Sequence, residues 1–547
     1  MEYYNKNSAM KKYIILLFAF ILILSSCTKF LEEIPTGNLT DKTVFTTQED
    51  VEALTVGPYR ALANWTSGGG DWGNQLPNSV EFLTGFAWTG EPHALFWRFE
   101  TNQVSGDLLN DFNNQWTYWY RGVRDANFSI QILENITTVS STNLSKALGE
   151  VHTLRAWYYF CLVRYFGDVP MVTGILESID DAEKPRESLK TIYDEIIIPD
   201  IEFALASSLE DKQSSNGRIT KYTARALAAD IYLTCAGYPY QEVATNPGKE
   251  WCLDGGWTAS DYPVSSGQAF LQKAKVQLDM LYGNFSLGTY ADLRDPGKDN
   301  KGEHIFSIQY ESGYSTNPMA ECSFPLSSHI SMFGDERGTF IPTMGYYNSY
   351  SNADLRKSER QFFFTQDNIS KKYNPTEPPA TKFDRPYLFK LYDVDAVKNT
   401  GNSGLDWSLY RYADILLMQT EVNWALKQLG VSVSDADLIK GINEVRARAL
   451  LPALLPGEVT LLTIMAERAY ELIFENKMIW DQRRTRKCLL PGSGSFSGIQ
   501  SFFDHRPESF SFNFSAMNLL SPMPGNEIKT NKKLLQNFGY LPTQGGQ

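Results

Sequence analysis

The charged residues best spaced for chemistry stand near the C-terminal end of the chain. Arg468, Glu471 and Glu475 recur at i, i+3 and i+7, which places a guanidinium and two carboxylates on one helical face. Two carboxyls could act as general acid and base, but such a pair is defined by its separation in space. Arg and Glu at these spacings between packed helices ordinarily satisfy one another, so the three are assigned to packing. Gly68-Gly69-Gly70-Asp71-Trp72-Gly73 fits the G-x-G-x-x-G string, which cradles pyrophosphate when it joins a strand to a helix. Here it follows a predicted helix and reads as a loop presenting Trp65 and Trp72. No G-x-S-x-G or H-E-x-x-H occurs, and His93, His152, His304, His329 and His505 are scattered. No catalytic residue, metal ligand or cofactor is assigned.

The aromatic residues point to binding chemistry instead. A sugar ring has one face of C–H groups and a rim of hydroxyls, so an exposed indole or phenol can stack on it while Asn, Asp or Arg takes the hydroxyls. The stacking candidates are Trp65, Trp72, Trp88, Trp97, Trp257, Tyr346 and Tyr347. At ~1 kcal/mol per platform, two or three of them give affinity on the millimolar side. The same loops would serve a peptide ligand.

Helices with irregular insertions must position these rings. Thr47-x-x-Asp50 has the capping-box form and precedes Val51, Leu54 and Tyr59 at helical spacing. A second helical zone opens at Trp116. The run from Leu148 to Phe166 sets Val151, Leu154, Tyr158, Cys161, Leu162 and Tyr165 on one stripe, with Gly167 and Pro170 to stop it. Trp157, Tyr158, Tyr159 and Phe160 wrap around that helix and are read as packing. Further helices are predicted over 189–207, 220–236, 268–282, 415–426, 436–450 and 464–484, and Ile305 to Tyr310 reads as a strand. Between them lie irregular, aromatic-rich insertions around 65–103, 237–266 and 283–405. The expected fold is mainly α, a tetratricopeptide-like scaffold of helical hairpins with little β, although the ~34-residue period is not clean.

Of the 547 residues, 43% are hydrophobic and 21% charged, which is globular composition. At the N-terminus, Lys11-Lys12, the apolar run Tyr13 to Leu24 and Ser25-Ser26-Cys27 form a secretory signal too short to span a bilayer, which needs ~20 residues. Met10 with the two lysines would by itself make a complete n-region. Cysteine directly after Leu24-Ser25-Ser26 resembles a bacterial lipobox, so residues 1–26 are expected to be removed and Cys27 to carry lipid. Residues 27–38 then read as a tether, and 39–547 as one domain. Loss of Lys6, Lys11 and Lys12 against Glu2 takes the net charge from −13 to about −15, which argues against nucleic acid as a partner. Cys161, Cys235, Cys252, Cys322 and Cys488 remain, an odd set without C-x-x-C; no disulfide framework or zinc site follows, and Cys161 and Cys235 read as buried thiols.

Several stretches together resemble the SusD/RagB family, surface nutrient-binding lipoproteins of Bacteroidetes. They are Cys27 to Pro35, Leu154-Arg155-Ala156-Trp157-Tyr158-Tyr159-Phe160 with Phe166-Gly167-Asp168-Val169-Pro170, and Gly217-Arg218-Ile219-Thr220. Later come Arg411-Tyr412-Ala413-Asp414-Ile415-Leu416-Leu417-Met418, Ile442 to Ala449, Glu467 to Glu475 with Trp480-Asp481 and Arg483-Arg484, Ser521-Pro522-Met523-Pro524, and Gln536 to Tyr540. Met523 stands where isoleucine is usual, and Gln419 to Asn423 where an Ala-rich run is usual. The resemblance implies a helical scaffold anchored on the outer-membrane surface, a glycan ligand, a SusC-like TonB-dependent transporter as partner, and no catalysis. A peptide-binding member of the family, a glycoside hydrolase displayed on the same membrane and a scaffold for protein partners are the alternatives.

Overall fold

The structure, a computed structural model, describes residues 45–64, 81–89, 110–246 except 177, 179, 180 and 182, 261–317, 341–367, and 381–540 except 394, 397–399, 401 and 509. The signal, Cys27 and the tether lie outside these. From Thr47 onward the chain forms one compact unit.

Helix α1 (Gln48–Val56) starts at the predicted capping box. Asp50 N–H donates to Thr47 Oγ1 at 3.1 Å, and Thr47 N–H donates to Asp50 Oδ2 at 2.8 Å. Helices α2 (Asn110–Leu133) and α3 (Ser141–Phe166) form a hairpin joined by seven residues. The predicted stripe of α3 is buried throughout, as are Trp157, Tyr158, Tyr159 and Phe160, which confirms their packing role. Gly167 ends the helix with φ +74°, a conformation that favours glycine. The predicted 189–207 helix is α4 (Leu189–Ile192), a π-type turn over Tyr193–Ile197, and α5 (Ile198–Ala206).

The stack continues through α6 (Lys221–Cys235), α7 (Tyr240–Thr245) and α8 (Gln268–Leu281). It then passes to α10 (Tyr412–Gln428), α11 (Asp435–Arg448) and α12 (Leu461–Leu472), with α9 (Met344–Ser349) lying between in sequence. Each long helix packs on its predecessor and successor, α3 on α5, α5 on α6, α6 on α8, α8 on α10, and α10 on both α11 and α12. The fold is therefore mainly α, a stack of helical hairpins. The α10–α11 crossing is tight at Gly441, where a Cβ would fall 2.3 Å from Leu416 O, a backbone atom that cannot swing aside. Gly441→Ala is expected to lower stability by about 1–3 kcal/mol even though alanine is the better helix former by ~1 kcal/mol. A melting temperature at or above that of the unaltered protein would refute this.

The strands pair as short antiparallel ribbons. β2 (His304–Ile308) pairs with β6 (Trp407–Arg411) inside the core, every β2 residue being buried. The predicted strand is thus a core element within what the sequence offers as an insertion. Likewise Tyr238, Tyr240 and Tyr262 of the 237–266 stretch are buried, and α7 lies there. β7 (Lys487–Pro491) and β8 (Phe496–Ser501) form a hairpin after α13 (Met478–Thr485).

The predicted 464–484 helix is broken. α12 ends at Leu472, Phe474 and Asn476 take φ of +60° and +59°, and α13 restarts at Met478. Long-range groups hold the break: Arg411 Nη2 donates to Glu471 O at 2.6 Å, Lys390 Nζ to Glu471 O and Ile473 O at 2.9 and 3.0 Å, and Asn476 N–H to Glu81 Oε1 at 2.7 Å. Buried cations capturing helix-end carbonyls satisfy the backbone where the helix stops. Cys161, Cys235 and Cys488 are free and buried. Cys252 and Cys322 lie outside the described residues. Among the described residues no helix is long and apolar enough to cross a membrane.

Candidate functional site

The signature charges resolve first. Glu471 accepts from Arg448 at 2.6 Å, Arg411 at 2.9 Å and Arg356 at 3.2 Å, and Arg411 also reaches Glu475 at 2.7 Å and Glu303 at 3.2 Å. Lys390 closes on Glu475, and Arg356 on Asp354 and Glu467, both at 2.7 Å. Arg468 joins Asp414 at 2.9 Å and Asp481 at 2.7 Å, and Arg484 joins Asp481 at 2.6 Å and Glu421 at 2.5 Å. All these side chains are at most 8% exposed. Burial alone would raise the Glu471 carboxyl, but the guanidiniums of Arg448, Arg411 and Arg356 outweigh it and hold it down to about 2. The predicted packing role of Arg468, Glu471 and Glu475 is correct. Glu421, in the stretch that departs from an Ala-rich run, is the partner of Arg484 and of Tyr262.

The binding candidates centre on a small aromatic β module. β1 (Ala87–Trp88) pairs with β3 (Ile341–Pro342) in the register Trp88↔Ile341, and β4 (Phe363–Asp367) pairs with β5 (Thr381–Leu388) through Phe364↔Tyr387. β3 lies against β5. Ile341, Phe364, Tyr387, Phe389 and Tyr392 form its buried centre, with Trp88 and Phe383 packed half-buried against it. The guanidinium carbon of Arg385 stands 3.9 Å from the centroid of the Trp88 ring, and Phe383 meets Phe364 edge-on at 5.5 Å. The ring of Trp88 is thereby fixed, with a cation on one face. Among the described residues the sole side-chain hydrogen bond of Arg385 runs from Nε to the exposed Asp384 at 3.4 Å, so its Nη donors remain available to a ligand.

Tyr347 is half-buried on α9, edge-on to Phe363 at 5.4 Å, with Lys357 Nζ 5.2 Å from its ring centroid. Beside it opens a polar cleft of about 780 Å³ lined by Asn348, Asn352, Lys357 and the Gly492 to Gly494 turn. Phe363 and Phe364 are consecutive in β4 and point to opposite faces. Tyr347 packs on Phe363, while Trp88 packs both against the Phe364 cluster and against the main core that holds Phe363.

Tyr346 is a correction. It is 0% exposed, its hydroxyl donates to Ala469 O at 2.8 Å and lies 2.6 Å from Tyr350 Oη, and its ring stacks on Phe86 at 5.1 Å. A ring without free surface cannot receive a sugar. Adjacent helical residues point about 100° apart, which leaves Tyr347 half-buried beside the sealed Tyr346. Trp65, Trp72, Trp97 and Trp257 lie outside the described residues. Sequence reasoning missed Arg385 and Phe383, which become neighbours of Trp88 only through the β1–β3–β5 contact. Of the histidines, His152 pairs with Asp200 at 2.6 Å and His304 with Ser408 at 2.6 Å, and His505 lies 2.8 Å from Gln500. His93 and His329 are outside the described residues. Among those residues no group of three or more His, Cys, Asp or Glu is arranged to hold a metal.

Comparison with known proteins bears on this geometry. The model of the SusD family matches residues 339–540, and one described as starch-binding associating with outer membrane matches residues 29–233. A SusD superfamily protein from Parabacteroides distasonis, known from its crystal structure, is 30% identical, with a TM-score of 0.79 over 92% of this chain and 100% of its own. The chain belongs to the SusD family. SusD-like protein P2 of Formosa agariphila is 25% identical over 565 residues, which span 96% of this chain and 99% of that protein. The fold is shared by surface glycan-binding protein A of Bacteroides thetaiotaomicron, solved in complex with laminarihexaose. It is 18% identical with a TM-score of 0.66, over 90% of this chain and 100% of its own. Within the matched residues 339–540, the stretch Glu467 to Glu475 ties the end of α12 to the elements around it.

Proposed function

We propose that this SusD family member binds a glycan at the cell surface without altering it and passes it to a SusC-like TonB-dependent transporter. The observation that carries the reading is the Trp88–Arg385 pair, an aromatic ring fixed on a rigid β module beside guanidinium donors, which supplies apolar stacking and hydroxyl recognition together. Family membership and the laminarihexaose complex of a protein with the same fold support it. The lipobox-like Cys27 supports attachment to the outer membrane, in keeping with the description of the matching model. Several acyl chains on one cysteine would hold the protein durably, where a single chain holds only marginally.

Affinity electrophoresis through gels containing laminarin, starch and xylan tests the reading. At least one polysaccharide is expected to retard the protein, and Trp88→Ala or Arg385→Ala to weaken binding by roughly 5-fold, the equivalent of ~1 kcal/mol. Binding unchanged in both variants would remove the platform, and release of reducing ends by the pure protein would favour a hydrolase. Mass spectrometry of the mature N-terminus is expected to find acylated Cys27. Co-purification of a TonB-dependent transporter from native membranes is the corresponding test of the partner.

A further inference from the structure

Lys357 is a cation without a counterion. Its Nζ donates to Tyr350 O at 2.9 Å and to Asn352 Oδ1 at 3.1 Å, and lies 5.2 Å from the centroid of the Tyr347 ring, but it forms no ion pair among the described residues. The carboxylates around it and Tyr347 are engaged elsewhere. Asp354 takes Arg356 at 2.7 Å, Glu359 accepts from Thr365 Oγ1 at 2.8 Å, and Glu508 accepts from Gly345 N–H at 2.8 Å. Partial burial holds the ammonium below the ordinary lysine range, with Asp354 opposing it.

This cation stands in the polar cleft of about 780 Å³ between α9 and the turn of the β7–β8 hairpin, a volume within the range of about 300–1,000 Å³ typical of small-molecule sites. Gly494 N–H donates to Asn348 O at 2.8 Å, which ties the turn to α9. Among the described residues no Asp or Glu lines the cleft. Its other polar side chains are neutral and open to solvent. Asn348 and Ser493 are exposed and make no side-chain hydrogen bond among the described residues, and the exposed Asn352 uses only its amide oxygen, on Lys357. One cation with spare donors is thus surrounded by neutral groups able to give and accept hydrogen bonds.

We infer, on the reading that the protein binds glycans, that this cleft takes an acidic saccharide unit, with Lys357 donating to its carboxylate or sulfate and Asn348, Asn352 and Ser493 pairing with its hydroxyls. A neutral sugar would satisfy the amides and leave the ammonium as it is, whereas an anionic one gains a charge-assisted hydrogen bond in addition. Lysine suits either anion, because it acts as a point charge rather than as a fork matched to one shape. The chain as a whole carries −13, so it repels an anionic glycan at long range and needs a local cation to hold one. Tyr347 contributes by fixing the ammonium at its ring rather than by stacking on the sugar.

Isothermal titration calorimetry on the mature protein tests this, run in the Trp88→Ala/Arg385→Ala background so that the platform and its guanidinium do not contribute. The probes are trigalacturonate and a carrageenan tetrasaccharide, each beside its uncharged counterpart, the full methyl ester and the desulfated sugar. At least one acidic probe is expected to bind, about 10-fold more tightly than its counterpart. Lys357→Met is expected to remove that preference, and Lys357→Arg to keep acidic binding within about 3-fold. The comparison of charged with uncharged sugar needs no change at Lys357, so it holds whether or not that site tolerates substitution. Binding of the uronate or of the sulfate ester alone upholds the site and names its anion. Failure of both acidic probes, equal affinity for charged and uncharged forms, acidic binding indifferent to Lys357→Met, or inorganic sulfate or acetate binding as tightly as the sugar overturns it. Retardation of neutral polysaccharides through Trp88 and Arg385 with no acidic binding in this background upholds the platform and overturns the cleft. Acidic binding here, with polysaccharide retardation that ignores Trp88 and Arg385, does the reverse.

Discussion

Arg411→Met is expected to lower the free energy of unfolding by about 3–5 kcal/mol, a large fraction of the 5–15 kcal/mol typical of folded proteins. Arg411 is 2% exposed and ends β6 where α10 begins. Its guanidinium holds Glu475 at 2.7 Å, Glu471 at 2.9 Å, Glu303 at 3.2 Å and the carbonyl of Glu471 at 2.6 Å. Methionine fills much of the volume, but it leaves Glu475 with Lys390 alone and removes one of the groups that hold the end of α12. The cost is mainly that of leaving buried carboxylates short of partners, since a buried ion pair itself adds little over apolar packing. Arg124→Met provides the contrast: its pair with Asp125 spans 2.7 Å, but the Arg124 side chain is 67% exposed, and a change under ~0.5 kcal/mol is expected. Urea denaturation followed by tryptophan fluorescence compares the two. Equal, small losses would show that the network is not what fixes the helices together.

Much of the scaffold was legible because its signals are local. The capping box at Thr47 and Asp50, the stripe of α3 and the Gly167 stop each depend on residues within a few turns of one another, and the structure places all three as read. The break between α12 and α13 was not legible, because the residues from Ile464 to Arg484 keep helical periodicity across it. What interrupts them is Arg411, Lys390 and Glu81, which approach from 60, 81 and 395 residues away. Strand β2 was visible as a strand, but its partner β6, about a hundred residues on, was not, so its burial was missed.

The site divides in the same way. Residue type alone nominated Trp88 and Tyr347, and both keep partly exposed rings, whereas Tyr346 has the same chemistry and is sealed between Phe86 and Tyr350. No single-sequence signal distinguishes the neighbours of a helical pair without knowing which side meets the core. Arg385 was invisible as a partner because it is separated from Trp88 by nearly three hundred residues. The Glu467 to Glu475 stretch, most suggestive of chemistry as a string, is paired with buried cations and carboxylates, because fixing a helix end and catalysing a reaction call for the same residue types.

Melting temperature is expected to peak at mildly acidic pH, near 5–6, and to fall on both sides. On the acid side, Glu471 is held down to about 2 as its guanidinium partners outweigh burial, and Asp414 to about 2 as Lys477 and Arg468 do the same. A carboxyl whose folded value lies below its unfolded one contributes stability that is present above the unfolded value, near 4, and lost as pH falls toward the folded one. Together these two are worth several kcal/mol at neutral pH, and Glu475 and Glu421 are lowered by the same kind of partner. Acid should therefore unfold the protein steeply between about pH 4.5 and 2. On the other side, burial raises Glu81 to about 8, and burial together with the Asp406 carboxylate raises Asp299 to about 8. Groups with raised folded values contribute stability that is complete below their unfolded value and is lost as pH climbs through the folded one. Asp295, Asp393 and Asp406 face Asp299, all of the same sign, so each ionisation makes the next harder. Asp299→Asn keeps the acceptor for the Asp406 N–H, a contact of 3.2 Å, while removing the charge. That variant is expected to flatten the decline between pH 6 and 9 by about 1–2 kcal/mol and to leave the acid limb unchanged. A melting temperature that rises steadily from pH 5 to 9, in either protein, would contradict the balance of these two carboxylate populations.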